Sequence, residues 1–283
     1  MMAQRLVSIL PEMSFEEAIE VTKIYSVVGN LPKENPIIMK RQCRAPHHTV
    51  TNASLLGGGI TPTPGEISFA HYGVLFLDEL PQFNKNTLEL LREPLEEGKI
   101  TINRVNGSVV YPCKFTLVAA MNPCPCGYYG NAEKECTCSQ KAISNYMNKI
   151  SGPLLDRIDI QVEVNKVKYK KLCSNAKDET SYEIKKRVDK ARVIQMERYK
   201  EYEIFSNSDL TPMLVEKYCK LNKMADKILQ TAFEKLGLSA RAYTRILKVA
   251  RTIADLDNSQ NIEENHIAEA IQYRSLDKKY WKN

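Results

Sequence analysis

Short apolar runs bounded by polar or turn-forming residues dominate the first half of the chain. Residues 74–77 and 116–121 are uninterrupted apolar or β-branched runs, and residues 158–164 alternate apolar with polar positions. We therefore predict three strands at these places, of which the first two are buried. An Asn-Gly pair at 106–107 separates two β-branched runs, which predicts a hairpin over residues 100–110.

Helical periodicity occurs at two places in the first half and dominates the second half. Apolar residues recur at spacings of three and four over residues 87–97, and residues 16–27 form another short helix. In the second half, Thr180, Ser239 and Asn261 are each placed to cap the first turn of an amphipathic helix. The pattern therefore predicts a strand-rich first part and a helical second part.

This order of elements predicts the fold class and a division into two domains. Strands alternating with helices are typical of an α/β domain with a parallel sheet, and a following run of helices is typical of a separate helical domain. We place the α/β domain at residues 1–165, with the hairpin as an insert, and the helical domain at residues 166–283. A length of 283 residues suits two such domains.

Composition places the chain among ordinary globular proteins. Hydrophobic residues make up 43% and charged residues 26%, which excludes the disordered and collagen-like classes. No apolar run reaches the roughly 18 residues of a membrane span. The first residues also lack the pattern of a signal peptide, so we expect a cytoplasmic protein without a membrane partner.

The positive charge is concentrated in one stretch. Of the net charge of +6, residues 166–203 carry +5, from twelve basic and seven acidic residues. Such a stretch either contacts the phosphates of nucleic acid or is a solvated helix face.

Four of the eight cysteines lie close together, at Cys124, Cys126, Cys136 and Cys138. In a chain without a signal peptide, clustered cysteines are metal ligands more often than disulfides. Four thiolates on one short loop provide a closed tetrahedral site, which is the coordination of structural zinc. Unligated thiols and an iron-sulfur centre are the alternatives. We predict structural zinc, although the C-x-C spacing is less specific than C-x-x-C.

Polar residues follow both predicted buried strands. Asp78 and Glu79 end the first strand, and Asn122 ends the second. Ligands of an open α/β sheet bind beyond the carboxyl ends of the strands, so these side chains would face one crevice. One acid there can hold Mg²⁺, the other can activate a water for attack on a γ-phosphate, and the amide can orient that water. The alternatives are a solvated acidic turn and a simple turn before Pro123.

Two arginines and a histidine pair are further candidates. Arg157 lies on a Gly-Pro loop, where a guanidinium could stabilise phosphoryl-transfer charge; the alternative is an ion pair with Asp156 or Asp159. Arg241, on a predicted helix of the second half, either contacts phosphate or belongs to a solvated face. The histidines at 47–48 either contact a nucleotide, DNA or a metal, or make ordinary loop hydrogen bonds.

Six segments of the sequence together resemble the AAA+ ATPases, and most closely their magnesium-chelatase-related branch of the YifB or ComM type. They occur in the order of that family over nearly the whole chain: RAPHHTVTNASLLGGG, PGEISFAHYGVLFLDELPQF, EPLEEGKITINRV, TLVAAMNPCPCGYYG, SGPLLDRIDI and LSARAYTRILKVARTIADL. The resemblance implies a P-loop NTPase-like parallel-sheet core followed by an all-helical lid. It also implies ATP and Mg²⁺ as cofactors, self-association into a hexameric ring, and a motor that acts on DNA.

By this resemblance, five of the candidate residues take a role in ATP hydrolysis. Asp78 and Glu79 match the Walker B acids, and Asn122 matches sensor one. Arg157 matches the arginine finger, which acts on the neighbouring subunit, and Arg241 matches the sensor-two arginine of the lid. The hairpin corresponds to the hairpin before sensor one, which faces the central pore in related ring motors.

The sequence departs from this family at the phosphate-binding loop. No G-x-x-x-x-G-K-[ST] motif occurs in the 283 residues, and the backbone amides and lysine of that motif hold the phosphates. The segment MMAQRLVSILP resembles the helix that directly follows the motif in the family. We therefore expect a truncated AAA+ core, the carboxyl-terminal part of a longer protein, that is inactive as an ATPase by itself.

Two other functions remain open at the level of sequence. One is a motor subunit of magnesium chelatase acting on a porphyrin, although the chain has no D-x-S-x-S motif and its CPCG and CTC segments favour the YifB or ComM branch. The other is a zinc and nucleic-acid binding module without hydrolysis. Salt-dependent DNA binding in the absence of ATP would support it.

Overall fold

A computed structural model describes most of the chain, namely residues 5–31, 36–59, 61–104, 107–131, 133–164, 179–202 and 204–274. The chain divides into two compact units, Met1–Arg157 and Ile158–Asn283. The predicted domain boundary between residues 165 and 166 lies outside the described residues. The predicted α/β core followed by a helical region is confirmed.

The secondary-structure elements of the described residues alternate in the first unit and are helical in the second. The strands are β1 (Cys43–Arg44), β2 (Gly57–Gly58), β3 (Thr63–Pro64), β4 (Val74–Leu77), β5 (Lys99–Arg104), β6 (Gly107–Pro112) and β7 (Thr116–Ala119). The helices are α1 (Phe15–Val27), α2 (Asn52–Leu56), α3 (Glu66–Phe69), α4 (Lys85–Glu89), α5 (Arg92–Glu97), α6 (Gln140–Met147), α7 (Gly152–Leu155), α8 (Ser181–Arg198), α9 (Pro212–Tyr218), α10 (Lys223–Leu236), α11 (Ala240–Leu256) and α12 (Glu264–Gln272). Among the helices of this part of the chain, none combines the length and apolar character needed to cross a bilayer.

A parallel sheet in the order β1-β4-β7 forms the core of the first unit. Val74 pairs with Thr116 and Leu77 pairs with Ala119, so β4 and β7 run side by side and end at the same edge. Three of the four side chains of β4, those of Val74, Leu75 and Leu77, are fully buried, as the apolar run predicts. The position predicted for β7 is confirmed. The prediction that β7 is buried is wrong, because in the sheet of the described residues it has a partner on one side only.

The predicted hairpin is formed by β5 and β6, which pair antiparallel along their whole length. Its turn, which includes Asn106, lies outside the described residues. Ile102 on the inner face of the hairpin packs against Gly57, where an added Cβ would lie only 2.6 Å from Ile102 Cδ1. Gly57 also has a φ of 105°, so the backbone requires glycine at this position beneath the hairpin.

The third predicted strand, over residues 158–164, is wrong, because this segment forms no strand. It belongs to the second unit, where the described residues provide no sheet for it to join. Ile160 and Val164 are consequently exposed by 52% and 73%. The backbone N–H of Gln161 instead donates to the carbonyl of Tyr273 at 2.9 Å. Alternating apolar residues thus give a strand only where a pairing partner is available.

The single helix predicted over residues 87–97 is two short helices, α4 and α5, with a break at residues 90–91. Pro94 accounts for the break, since proline has no N–H to donate and its ring clashes with the carbonyl four positions earlier. Gly98 ends α5 as predicted, in the left-handed conformation with a φ of 64°.

The second unit packs its helices around an apolar core, and two of its three predicted helix starts are confirmed. Thr180 and Glu183 form the predicted capping box of α8. Ser239 accepts a hydrogen bond from the backbone N–H of Ala242 and caps α11. The core lies mainly between α10, α11 and α12 and includes Leu229, Ile246, Ala250, Ala254 and Ile267.

The predicted cap at Asn261 is wrong, because α12 begins at Glu264 and Glu263 is its N-cap residue. Ile262 is 1% exposed and forms a parallel β-bridge with Leu221. This bridge keeps the chain out of the helix until residue 263, so the helix starts after the apolar residue rather than before it.

A polar network is buried in the second unit around Asp255, whose side chain is 0% exposed. Its carboxylate accepts hydrogen bonds from Arg198 Nη1 at 2.9 Å, Arg251 Nε at 3.1 Å and Asn207 Nδ2 at 2.9 Å. Because buried charges are costly unless they are paired and hydrogen-bonded, the network ties α8 and α11 together in one arrangement.

Candidate functional site

The acids and the amide predicted at the strand ends lie at one edge of the parallel sheet. Asp78 and Glu79 follow β4 directly, and Asn122 lies three residues after β7. The pairing of the two chains continues past the strands, because the backbone N–H of Leu80 donates to the carbonyl of Ala120 at 2.9 Å. All three side chains are exposed. The structure therefore brings these three predicted residues together.

Glu79 adopts a left-handed backbone conformation, with φ 51° and ψ 48°. Its backbone N–H donates to Asp78 Oδ1 at 3.0 Å, and the 3₁₀ turn Leu80–Gln82 begins directly after it. This conformation costs a residue with a Cβ about 1 kcal/mol. Strain of this kind clusters at functional sites, where the surrounding structure holds a side chain in a required direction.

Tyr146, on α6, lies next to these residues and was not predicted from the sequence. It is 8% exposed. Burial raises the pKa of its hydroxyl, and the negative charges of Glu79 and Cys124 raise it further. A hydrogen bond with the main chain of Asn122 lowers the pKa and partly offsets these effects. The signal in the sequence is slight: Tyr146 lies on the buried face of α6 with Ile143, and a tyrosine there is indistinguishable from an ordinary core residue.

Arg157 is held within the first unit by a contact that the sequence does not predict. Its side chain is 6% exposed, Nη1 donates to the carbonyl of Pro153 at 2.7 Å, and Nη2 pairs with Glu96 Oε2. The ion-pair alternative named Asp156 or Asp159, whereas the carboxylate in contact comes from α5. The guanidinium of Arg157 is therefore engaged by Glu96 of α5.

Arg241 lies in the second unit, at the second residue of α11, and its side chain is exposed. Its position on the first turn follows from the Ser239 cap. Of the five residues predicted to act in ATP hydrolysis, three are thus gathered at the sheet edge, one is paired with Glu96, and one lies on the helical unit.

The four clustered cysteines bring their sulfur atoms together as a metal site requires. Cys124 Sγ lies 3.3 Å from Cys126 Sγ and 3.7 Å from Cys136 Sγ. The sulfurs of Cys126 and Cys136 are 3.5 Å apart. With Cys138, all four sulfurs lie within 4.8 Å of one another. A tetrahedron with zinc–sulfur bonds of about 2.3 Å has sulfurs about 3.8 Å apart. The spacing fits zinc and is too long for a disulfide.

The loop backbone favours the thiolate form that a metal needs. The main chain at Tyr128 lowers the pKa of the Cys126 thiol to about 6. Main-chain hydrogen bonds act in the same direction on Cys136 and Cys138, but burial and the neighbouring thiols raise the pKa of Cys136 to about 12 and also raise that of Cys138. The N–H of Tyr129 donates to Cys124 Sγ at 3.3 Å. Gly127 and Gly130, with φ of 80° and 75°, turn the chain back between the two C-x-C pairs. The donor set is therefore suited to a closed zinc site.

Two family models match the chain almost end to end. The family model described as "magnesium chelatase, subunit ChlI" matches residues 1–172. The model of the C-terminal part of the same subunit matches residues 178–274. Competence protein ComM of Haemophilus influenzae is 46% identical over 278 residues, which are 98% of this chain and 53% of ComM. Proteins named YifB are similar: that of Salmonella typhimurium is 43% identical and that of Escherichia coli 42%, each over 98% of this chain and 54% of its own length. The chain spans about half the length of these relatives.

Proposed function

The chain belongs to the magnesium chelatase subunit ChlI family, and we propose that it supplies the Walker B, sensor and lid parts of an ATP-driven ring motor that acts on DNA. The observation that carries the proposal is the placement of Asp78, Glu79 and Asn122 at one edge of a parallel sheet. Similarity to ComM and YifB over nearly the whole chain favours this motor over a chelatase subunit.

In this proposal the strand-end residues divide the chemistry of ATP hydrolysis. Asp78 holds Mg²⁺, Glu79 takes a proton from the attacking water, and the Asn122 amide orients that water. The hydroxyl of buried Tyr146 contacts the main chain of Asn122. ATP and Mg²⁺ supply the transferable phosphoryl group and the charge that neutralises it.

The two arginines act on the phosphates from other parts of the proposed ring. Arg157 stabilises the transferring phosphoryl group of a neighbouring subunit, for which the phosphate oxygens would have to displace Glu96. Arg241 contacts phosphate from the helical unit. The ring is therefore part of the proposal, since the arginine finger that Arg157 resembles acts on the neighbouring subunit.

The phosphate cradle is the part that these 283 residues do not contain, since no Walker A motif occurs in them. We therefore expect no ATP turnover from this chain alone. Calorimetric titration with Mg-ATP, together with a phosphate-release assay, checks this expectation. Micromolar affinity accompanied by turnover would overturn it.

The ATPase assignment is tested by the DNA upstream of the codon for Met1. An in-frame Walker A motif is expected there, and its absence would remove the basis for the motor. In the longer chain, Glu79→Gln should lower kcat by about 10² or more, because it removes a general base. Glu97→Gln, which changes an exposed acid on α5, is the matched control and should leave kcat unchanged.

A second function, structural zinc binding, is favoured by the sulfur geometry of Cys124, Cys126, Cys136 and Cys138. We expect one zinc ion per purified chain by elemental analysis. Cys136→Ser should lose it, whereas Cys43→Ser, which changes a cysteine of β1, should keep it. A metal-free preparation with unchanged thermal stability would contradict zinc as a structural element.

A further inference from the structure

A cavity of about 740 Å³, open to solvent, lies in the first unit outside the residues that were given roles above. Its walls come from residues 48–52, from residues 82–85 with Thr87, and from Lys149. A cavity of this size accommodates a ligand of nucleotide dimensions.

The lining of the cavity carries positive charge and no acid. Lys85 and Lys149 are both exposed, and neither forms an ion pair with another residue in the described part of the chain. The described residues of the lining include no aspartate or glutamate, and Gln82 and Asn84 add amide groups beside the lysines. Phosphate groups, which are anionic and accept several hydrogen bonds, match this surface.

Aromatic rings provide a stacking surface next to these cations. The rings of His47 and His48 are tilted by 38° with their centroids 4.0 Å apart, and His48 meets Phe83 at 6.4 Å in an edge-to-face contact. Phe83 is 1% exposed and packs against His48 from the protein interior, whereas the His47 ring is exposed to solvent. Thr49 Oγ1 lies 2.9 Å from His47 Nδ1 and orients the outer ring. Rings placed beside lysines are the kind of surface on which unpaired bases stack.

The cavity is also connected to the strand-end acids. The turn Leu80–Gln82 begins directly after Glu79, and the N–H of Gln82 donates to the carbonyl of Glu79 at 2.7 Å. Gln82 and Phe83 line the cavity. A ligand bound there would therefore contact the segment that holds the strained backbone of Glu79.

We infer that this cavity binds single-stranded nucleic acid, with His48 and the adjacent His47 contacting unpaired bases and Lys85 and Lys149 contacting the flanking phosphates. A duplex does not fit, because its bases are stacked on one another and reach a protein ring only after unpairing. This site would be the place where the proposed motor holds single-stranded DNA, so the inference rests on the proposed function. Binding of the strand itself requires no ATP.

Fluorescence anisotropy of a labelled oligothymidylate of about 20 nucleotides, titrated with the full chain without ATP at several salt concentrations, tests the site. Binding should weaken as salt is raised. The double variant Lys85→Ala, Lys149→Ala should reduce the slope of log affinity against log salt by about 1.4, which corresponds to two phosphate contacts on a single strand. His48→Ala should weaken binding about tenfold, whereas His48→Phe keeps a stacking ring and should retain most of the affinity.

The matched control is Lys227→Ala with Lys235→Ala, which removes the same charge from exposed positions of α10, outside the basic stretch at residues 166–203. An equal loss of binding in this pair would overturn the site, as would unchanged binding in the cavity variants or equal affinity for a duplex. Competition by thymidine monophosphate as strong as that by the oligonucleotide would also overturn it, in favour of a free-nucleotide site. Failure of the unchanged chain to bind oligothymidylate refutes the site alone, since the ATPase proposal is judged by turnover of the longer chain.

Discussion

Glu79 combines a strained backbone with a proposed chemical role, and replacing it by glycine or by alanine separates the two. Both substitutions remove the carboxylate, so the change in repulsion with Asp78 cancels between them. At most positions glycine is about 0.5–1 kcal/mol less stable than alanine, because it loses more conformational freedom on folding. At a φ of 51° and ψ of 48°, alanine bears the left-handed penalty of about 1–2 kcal/mol and glycine does not.

The order of stability should therefore be reversed at this position. We expect Glu79→Gly to be more stable than Glu79→Ala by about 0.5–1 kcal/mol, although both abolish the proposed water activation. Urea unfolding followed by circular dichroism measures the difference, and equal m values would show that the unfolded states are comparable.

Two positions provide controls for this experiment. Asn258, which also has a left-handed φ of 55°, should give the same order of glycine over alanine. Asn148, an exposed residue with a φ of −70°, should give the opposite order. If Glu79→Gly were less stable than Glu79→Ala, the inference of backbone strain at the sheet edge would be refuted.

Two further predictions concern buried charge and pH. Asp255→Asn should cost about 3–5 kcal/mol, because it leaves the arginines of the buried network without their carboxylate; Asp257→Asn, at a side chain 59% exposed, should cost less than about 1 kcal/mol. Equal losses in urea unfolding would contradict the role of the network. Burial lowers the pKa of His71, against the opposing effect of Glu20, so the unfolded chain binds the proton more readily than the folded one. The free energy of unfolding should therefore be level above about pH 6.5 and fall as pH decreases below it. His71→Gln should flatten this fall, and an unchanged slope in that variant would show that another group is responsible.

The elements that could be predicted from the sequence are those whose pattern is local. The run at residues 74–77 becomes the buried strand β4, and Thr180 and Ser239 cap their helices. The failures depend on distant partners. Residues 158–164 alternate correctly but have no described strand to pair with, and Asn261 is followed by Ile262, whose bridge to Leu221 delays the helix.

The same distinction applies to the candidate site. Asp78, Glu79 and Asn122 could be placed together because parallel strands end at a common edge. The left-handed backbone of Glu79 and the contact of Tyr146 with Asn122 depend on packing between elements far apart in sequence. The pairing of Arg157 with Glu96 spans 61 positions, and no local pattern indicates it.

The cysteine loop and the sheet edge are joined by a very short piece of chain. Cys124 is two residues beyond Asn122 and 0% exposed, and a Cβ on Gly127 would lie 3.9 Å from the Asn122 amide. A zinc ion held by the four sulfurs would fix Cys124 and so restrict the backbone of Asn122, which also contacts the hydroxyl of Tyr146. The proposed zinc would thus act on the residue proposed to orient water rather than on phosphate binding. In a longer chain that contains the phosphate cradle, zinc removal should lower kcat more than it raises the KM for ATP, because Asn122 would lose its fixed position while Asp78, directly after β4, would keep its own.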